Sequence, residues 1–497
     1  MSTAIESITK LREELRHFDI RASKAAPLPD FAQLLETAGH LRVVKRNARR
    51  QVYCFEADGR RFYLKRSTLV RPKDRFRLFL LPNRRRAEWR NLQRLAALGI
   101  TVPAPIARGE AWHLKPPQYF ILTSEVPGRS FGPGKHARWH QLGEFIALLH
   151  SKGVYHADLH PGNIRLTPAG DFALLDVQSV FFLGRLPQFL RVRNIGRFSC
   201  HYLSRSDFSI WLESLLDGYN ASGSPRVGVG EVQGSARNQL ERRHRSRTRR
   251  CLLDSGEFRR VDSQGMRGFR RRGFDWDRSR LETAIREGQP LKSDSVLAYQ
   301  GVCIKQRQRR LFHRDRCRTS WTMSRAFEVR GIEVPRSLAY FVLGNTSYFL
   351  CEYLQGGQLL NHYLSDMPLK HQKQRALEAL AQWVKKIHSS RLWQRDFKSS
   401  NIMSSGNRYY MLDLDSAKVQ TLSADQKIMN LAQLNASLSN RITLKDRLRF
   451  FNFCLDGRSW SRDRRISVYN RIWAIAKGKN TAHYDLDLDE LRKECGA

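Results

Sequence analysis

HADLHPGN, residues 156–163, reads as a loop that turns a carboxylate and an amide toward one place: Asp158 and Asn163 stand five positions apart, with Pro161-Gly162 forcing the turn between them. The same spacing returns in QRDFKSSN, residues 394–401, where Asp396 and Asn401 hold the same stations. The likeness extends on both sides. LLHSKGVYHADLHPGNI, from Leu148, aligns without gaps to KIHSSRLWQRDFKSSNI, from Lys386; FALLDVQSV, from Phe172, matches YYMLDLDSA, from Tyr409; and AEWRNLQRLAALGITVPAPIA, from Ala87, matches TSWTMSRAFEVRGIEVPRSLA, from Thr319. Blocks kept in one order at nearly constant offset describe two copies of one fold.

Each copy runs through the same predicted elements. RQVYCFEADGRRFYLKRS, from Arg50, holds two strand-like runs about Asp58-Gly59, a hairpin signal. YFILTSEV, from Tyr119, and SYFLCEYL, from Ser347, are apolar runs of strand length. The blocks at Ala87 and Thr319 read as helices that end at Gly99 and Gly331 before a proline-marked extended turn. A small sheet with one helix, followed by a mostly helical lobe, is an α+β plan: two tandem bilobal protein-kinase-like domains. ASGSPRVGVGEVQGSARNQ, from Ala221, is rich in Gly and Ser without apolar periodicity and reads as a linker, with the boundary near residue 235. The expected layout is an N-terminal helical extension over residues 1–30, a first domain over 31–235 and a second over 236–497. ERRHRSRTRR, after the linker, is either a solvated, mobile basic segment or a phosphate-binding patch.

Phosphoryl transfer needs a triphosphate held, its charge neutralised and an attacking hydroxyl oriented. The first copy supplies the side chains for each task. Lys65 ends a strand, where an ammonium group reaches α- and β-phosphates, and Glu88 on the next helix is its expected partner. Asp158 faces the substrate hydroxyl, while Asn163 and Asp176, the latter just after an apolar strand, are the expected metal ligands. Lys65, Asp158, Asn163 and Asp176 are thus expected to converge in one cleft. Taken singly, Asp-x-His-x-x-Asn is a turn with an Asx cap and Leu-Leu-Asp a strand end; their joint recurrence favours the chemical reading. His156 reads as a loop anchor, and His160 either bonds within the loop or touches a phosphate.

In the second copy Lys305, Asp396, Asn401 and Asp413 occupy the matching positions, but Ser320 stands opposite Glu88. Either another acid serves Lys305, Asp315 being closest in sequence, or this copy is impaired. Lys398, two residues past Asp396, is a candidate to steady a transferring phosphoryl group.

Composition bounds the partners. The 497 residues carry a formal net charge of +40, so the surface calls for anions: nucleic acid, anionic lipid or phosphorylated glycan. ERRHRSRTRR has no interleaved aromatics, which disfavours nucleic acid. The eight cysteines are scattered, with no Cys-x-x-Cys pair, as in a reduced cytosolic protein. MSTAIESITKLREELRHFDIRA mixes charges through its apolar positions and reads as an amphipathic helix, not a leader. No run reaches the roughly 18 apolar residues of a transmembrane helix, so membrane contact is expected to be peripheral.

HADLHPGN followed by LLDVQS, with YLKR and AEW upstream, resembles the Kdo/WaaP lipopolysaccharide kinase family over roughly residues 40–215; RSRTRRCLLDSGEF, from Arg245, and the segment from Trp321 extend the resemblance over roughly 245–430. That resemblance implies transfer of the ATP γ-phosphate, with Mg²⁺, to a heptose or Kdo hydroxyl of an anionic glycolipid at the cytoplasmic face of the inner membrane. By position it gives Lys65 and Glu88 the nucleotide, Asp158 the proton, and Asn163 with Asp176 the magnesium. Two features depart from protein kinases. KRNARRQ, residues 45–51, stands where a glycine-rich loop is usual, and no Ala-Pro-Glu follows the metal aspartate. A kinase of proteins or small hydroxylated molecules, and a kinase-fold scaffold with a basic surface, are the competing readings.

Overall fold

The computed structural model describes residues 5–6, 8–22, 31–39, 41–47, 50–69, 87–132, 136–223, 225–293, 295–310, 312–406, 408–439, 441–455 and 459–478. The chain divides into two compact units, Met1–Glu241 and Arg242–Ala497.

Both units are built on the same five antiparallel strands. In the first, the order across the sheet is Leu41–Asn47, Arg50–Ala57, Arg60–Thr68, Gln118–Ser124, Pro105–Ala111; in the second it is Gln289–Ser293, Val296–Tyr299, Val302–Gln308, Thr346–Glu352, Ser337–Leu343. Each sheet has seven strands in all. The first unit adds Ile5–Glu6 and Asp19–Ala22, one at each edge, whereas the second adds Met266–Arg271 and then Phe258–Ser263 at one edge. The N-terminal segment is therefore more than a helical extension. Helix Ile8–Leu15 lies between two strands of the sheet, and Leu11, Leu15 and Phe18 are buried in the core under it.

The helix after the third strand of the five, Ala87–Ala97 or Arg316–Glu328, ends as its glycine requires. Gly99 and Gly331 have φ of 73° and 70°. Ile100 N donates to Leu95 O at 3.0 Å, and Ile332 N to Phe327 O at 3.1 Å, bonds that satisfy carbonyls the helix leaves open. Trp89 and Trp321 are buried on these helices.

The segment expected to be a linker is mostly helix. Residues 222–223 and 225–228 are non-helical, but Val229–Arg249 is one α-helix that includes most of ERRHRSRTRR, and the division between units falls inside it. Its buried stripe is Val232, Ala236 and Gln239, spaced by four and three; small and polar members hide that period from a count of large apolar residues. Gly196 explains why Ser235 and Ala236 are small. A β-carbon there would lie 2.4 Å from Ser235 Oγ, so two helices touch at that point.

The catalytic-type loop of each unit rests on a buried hydrogen-bonded bracket. His150 Nδ1 meets Tyr219 Oη at 2.9 Å and its Nε2 meets Asn194 Oδ1 at 3.0 Å, while Asn194 Nδ2 donates to the carbonyl of His156 at 2.7 Å. In the second unit His388 Nε2 meets Asn430 Oδ1 at 3.3 Å, and Asn430 Nδ2 donates to the carbonyl of Gln394 at 2.7 Å. Burial lowers both imidazoles to a pKa of about 4, which keeps them neutral. Between pH 6.5 and 4 the unfolded chain then binds protons that the folded chain does not, so stability falls as pH falls. Each histidine should remove up to about 3 kcal/mol across that window. Denaturant midpoints at pH 7 and pH 4.5 check this, and His150→Gln should flatten the profile of the first unit.

Candidate active site

Lys65 lies on the middle strand of the five, opposite Val52 on one neighbour and Ile121 on the other. Its Nζ donates to Glu88 Oε1 at 2.6 Å, and Glu88 is buried in the first turn of helix Ala87–Ala97. The expected pair is formed. Arg50 Nη2 stands 3.8 Å from Glu88 Oε2 and 3.6 Å from Asp176 Oδ1. This second cation was not singled out in the sequence as a site residue, although it is the last cation of the basic segment 45–51. Ala48 and Arg49 of that segment lie outside the described residues.

Asp176 follows strand Phe172–Leu174 with φ of 47°, a left-handed backbone that costs a β-carbon residue about 1–2 kcal/mol. Leu175 N donates to Asn163 O at 2.8 Å, which sets Asp176 beside the loop. Burial would raise the Asp176 carboxyl, but Lys65 at 3.8 Å and Arg50 outweigh it and hold it below the usual carboxylate range. Its Oδ1 is buried and accepts no hydrogen bond from the described residues. A buried carboxylate oxygen in that state, lining the same cavity as the Asn163 amide, is a donor set that fits magnesium, a hard cation that takes few protein oxygens and keeps water or phosphate for the rest.

Lys65, Glu88, Asn163 and Asp176 line one cavity of about 310 Å³, with Val52, Val126 and Leu175 among its apolar walls. The carboxylate of Asp158 does not line it. Asp158 joins the site through its backbone, whose carbonyl accepts from Asn163 Nδ2 at 3.0 Å, and its exposed Oδ1 lies 3.6 Å from Arg197 Nη1. His156 anchors the loop, as expected: its buried Nδ1 accepts from Asp158 N at 3.1 Å and its Nε2 lies 3.3 Å from Leu175 O. His160 bonds within the loop, its Nδ1 accepting from Gly162 N at 3.1 Å.

The second unit places Lys305 identically in its sheet, opposite Val296 and Phe349, but its partners differ. Lys305 Nζ lies 2.6 Å from Asp413 Oδ1 and 3.4 Å from Asp415 Oδ2. Ser320 is buried, and its Oγ has no hydrogen-bond partner among the described residues. Asp315 does not substitute for the missing glutamate. It caps helix Arg316–Glu328 by accepting from Arg318 N, and it also accepts from Tyr340 Oη at 2.7 Å and Ser347 Oγ at 3.0 Å. Asp415, two residues past Asp413 where the first copy has Gln178, is the acid that sequence reading passed over; LDLDS against LDVQS carried the signal. Burial would raise Asp413, but Lys305 holds it below the usual range. Asp396 is also engaged, its Oδ2 2.8 Å from Lys398 Nζ and accepting from Asn401 Nδ2 at 3.1 Å.

A five-stranded antiparallel core with a Lys–Glu pair, followed by a helical lobe that carries an Asp-x₄-Asn loop and a strand-end aspartate, defines the protein-kinase class of phosphotransferase folds. A profile of the lipopolysaccharide kinase (Kdo/WaaP) family matches residues 42–181 and 299–453, more than half of the sequence and both copies of the repeat. The chain belongs to that family. A 3-deoxy-D-manno-octulosonic acid kinase of Xylella fastidiosa (strain M12) is 34% identical over 95 residues, which cover 18% of this chain and 38% of the relative; the chain thus spans well under half the length of that protein. Among solved structures, WaaP in complex with acyl carrier protein aligns with 41% of this chain and 86% of its own at 18% identity and a TM-score of 0.30. A type VIII aminoglycoside-3'-phosphotransferase aligns with 41% and 93% at 16% identity and a TM-score of 0.31.

Proposed function

We propose that the chain is an ATP-dependent kinase that phosphorylates a heptose or Kdo hydroxyl of the lipopolysaccharide inner core, with the first unit as its catalyst. The observation that carries this reading is the convergence of the Lys65–Glu88 pair, at 2.6 Å, with Asn163 and Asp176 in one cavity, inside a chain of this family. Lys65 holds the α- and β-phosphates and Glu88 fixes its position. Asn163 and Asp176 hold Mg²⁺, which supplies charge neutralisation between the phosphates. Asp158, exposed and adjacent, takes the proton of the acceptor hydroxyl. The net charge of +40 suits an acceptor rich in phosphate and carboxylate at the anionic cytoplasmic face of the inner membrane. No described helix is long and apolar enough to cross a membrane.

The second unit is the weaker catalyst on this reading, because Lys305 is held by Asp413, the side chain that would otherwise hold metal, and no glutamate draws it away. Asp396→Asn should leave transfer within about twofold of the parent rate. Phosphate transfer from labelled ATP to purified heptose- and Kdo-containing core oligosaccharide tests the whole reading, with protein and aminoglycoside acceptors alongside. Transfer to either of those, and none to the oligosaccharide, would replace the sugar assignment.

A further inference from the structure

The second unit contains a cavity of about 900 Å³, larger than the nucleotide-type cleft of the first, and its lining is cationic. Arg307, Arg310, Arg314, Arg316, Arg395 and Lys418 all face it. Only Arg316 among these six has a described carboxylate within salt-bridge distance, Asp415 at 3.8 Å. Asp315 and Asp415 line it too, and Arg309, 3.7 Å from Asp315, is a seventh cation; the surplus of positive charge around one concavity favours an anionic ligand. Guanidinium groups bind phosphate through paired N–H donors, which suits a phosphomonoester better than a diffuse counter-ion cloud. Trp393 also lines the cavity, with Lys418 Nζ 5.6 Å from its ring centroid.

The two units differ at one strand pair that borders the cavity. Strand Val154–His156 pairs with Val180–Phe182 so that Tyr155 faces Phe181; in the second unit Leu392–Trp393 pairs with Lys418–Val419 so that Trp393 faces Lys418. Arg395 stands where the first copy has Ala157. Trp393, Arg395 and Lys418 are therefore particular to the second copy. The cavity also touches the second unit's lysine cluster, since Asp415 lies 3.8 Å from Arg316 and 3.4 Å from Lys305.

We propose that this cavity is a binding site for a phosphorylated saccharide, separate from the catalytic cleft of the first unit, and that the second unit serves to hold an already phosphorylated portion of the acceptor. The choice of a saccharide rests on the acceptor class proposed above; the phosphate site rests on the cavity alone. The test uses the full-length chain carrying Asp158→Asn, without nucleotide, so that binding is read apart from turnover. Calorimetry should show that phosphorylated inner-core oligosaccharide binds at least about tenfold more tightly than the same oligosaccharide after dephosphorylation. Arg314→Gln with Arg395→Ala should weaken binding by at least about tenfold, and Arg310→Gln with Arg314→Gln, both at exposed positions, should repeat the loss. The inference is overturned if both paired variants bind like the parent, if dephosphorylation changes nothing, or if inorganic phosphate or a phosphoserine peptide binds as tightly as the oligosaccharide. Binding as expected in a chain whose Asp158 form transfers no phosphate to sugar would leave this site standing while removing the proposed reaction.

Discussion

Asp158→Asn should lower the rate of phosphoryl transfer by about 10²–10⁴-fold, the range for removing a positioned general base, and leave the folded state intact. The structure separates the two effects. Asp158 contributes its backbone carbonyl to Asn163, and that bond survives the substitution. Its carboxylate is 61% exposed, with Arg197 at 3.6 Å as its salt-bridge partner, so the change in stability should stay within about 0.5 kcal/mol. Turnover at saturating ATP and a thermal melt of the same sample measure both. A variant with the parent rate would move the chemistry out of this loop.

Lys65→Met should lower kcat/KM by about 10²–10³-fold, as when one charge-stabilising donor is removed from a reacting centre. Unlike the first substitution it should also destabilise, because Glu88 is buried and would lose a partner at 2.6 Å. Arg50, 3.8 Å from the other Glu88 oxygen, limits that loss to about 1–3 kcal/mol. Adding Glu88→Gln removes the stranded charge. The double variant should regain stability and remain inactive, a combination that a purely structural Lys65 would not produce.

How much of this was legible in the sequence depended on the kind of signal. Positions in the repeat were readable because loop geometry ties residue type to spacing: Asp158 with Asn163, the helix-ending Gly99 and Gly331, and the strand lysines all lie where the blocks put them. Helix Val229–Arg249 was missed because its buried stripe uses Ala and Gln, which no apolar count detects, just after a non-helical stretch at 225–228. Asp415 and Arg50 were missed for another reason. Which cation meets which anion in a cluster depends on side-chain reach in three dimensions, and Asp315, nearer in sequence to Lys305, is occupied capping its own helix. His150 and His388 stood in perfect register in the aligned blocks, yet only coordinates show them supporting the loops through Asn194 and Asn430.

That shared support beneath the two loops has a consequence for engineering. Each loop hangs from an Asn amide by its main-chain carbonyl, at His156 in one copy and Gln394 in the other, while the side chains of those two residues make contacts particular to each copy. Grafting QRDFKSSN in place of HADLHPGN keeps the carbonyl that the Asn socket holds and removes the His156 anchor, and so would show which properties travel with eight residues and which belong to the cleft around them.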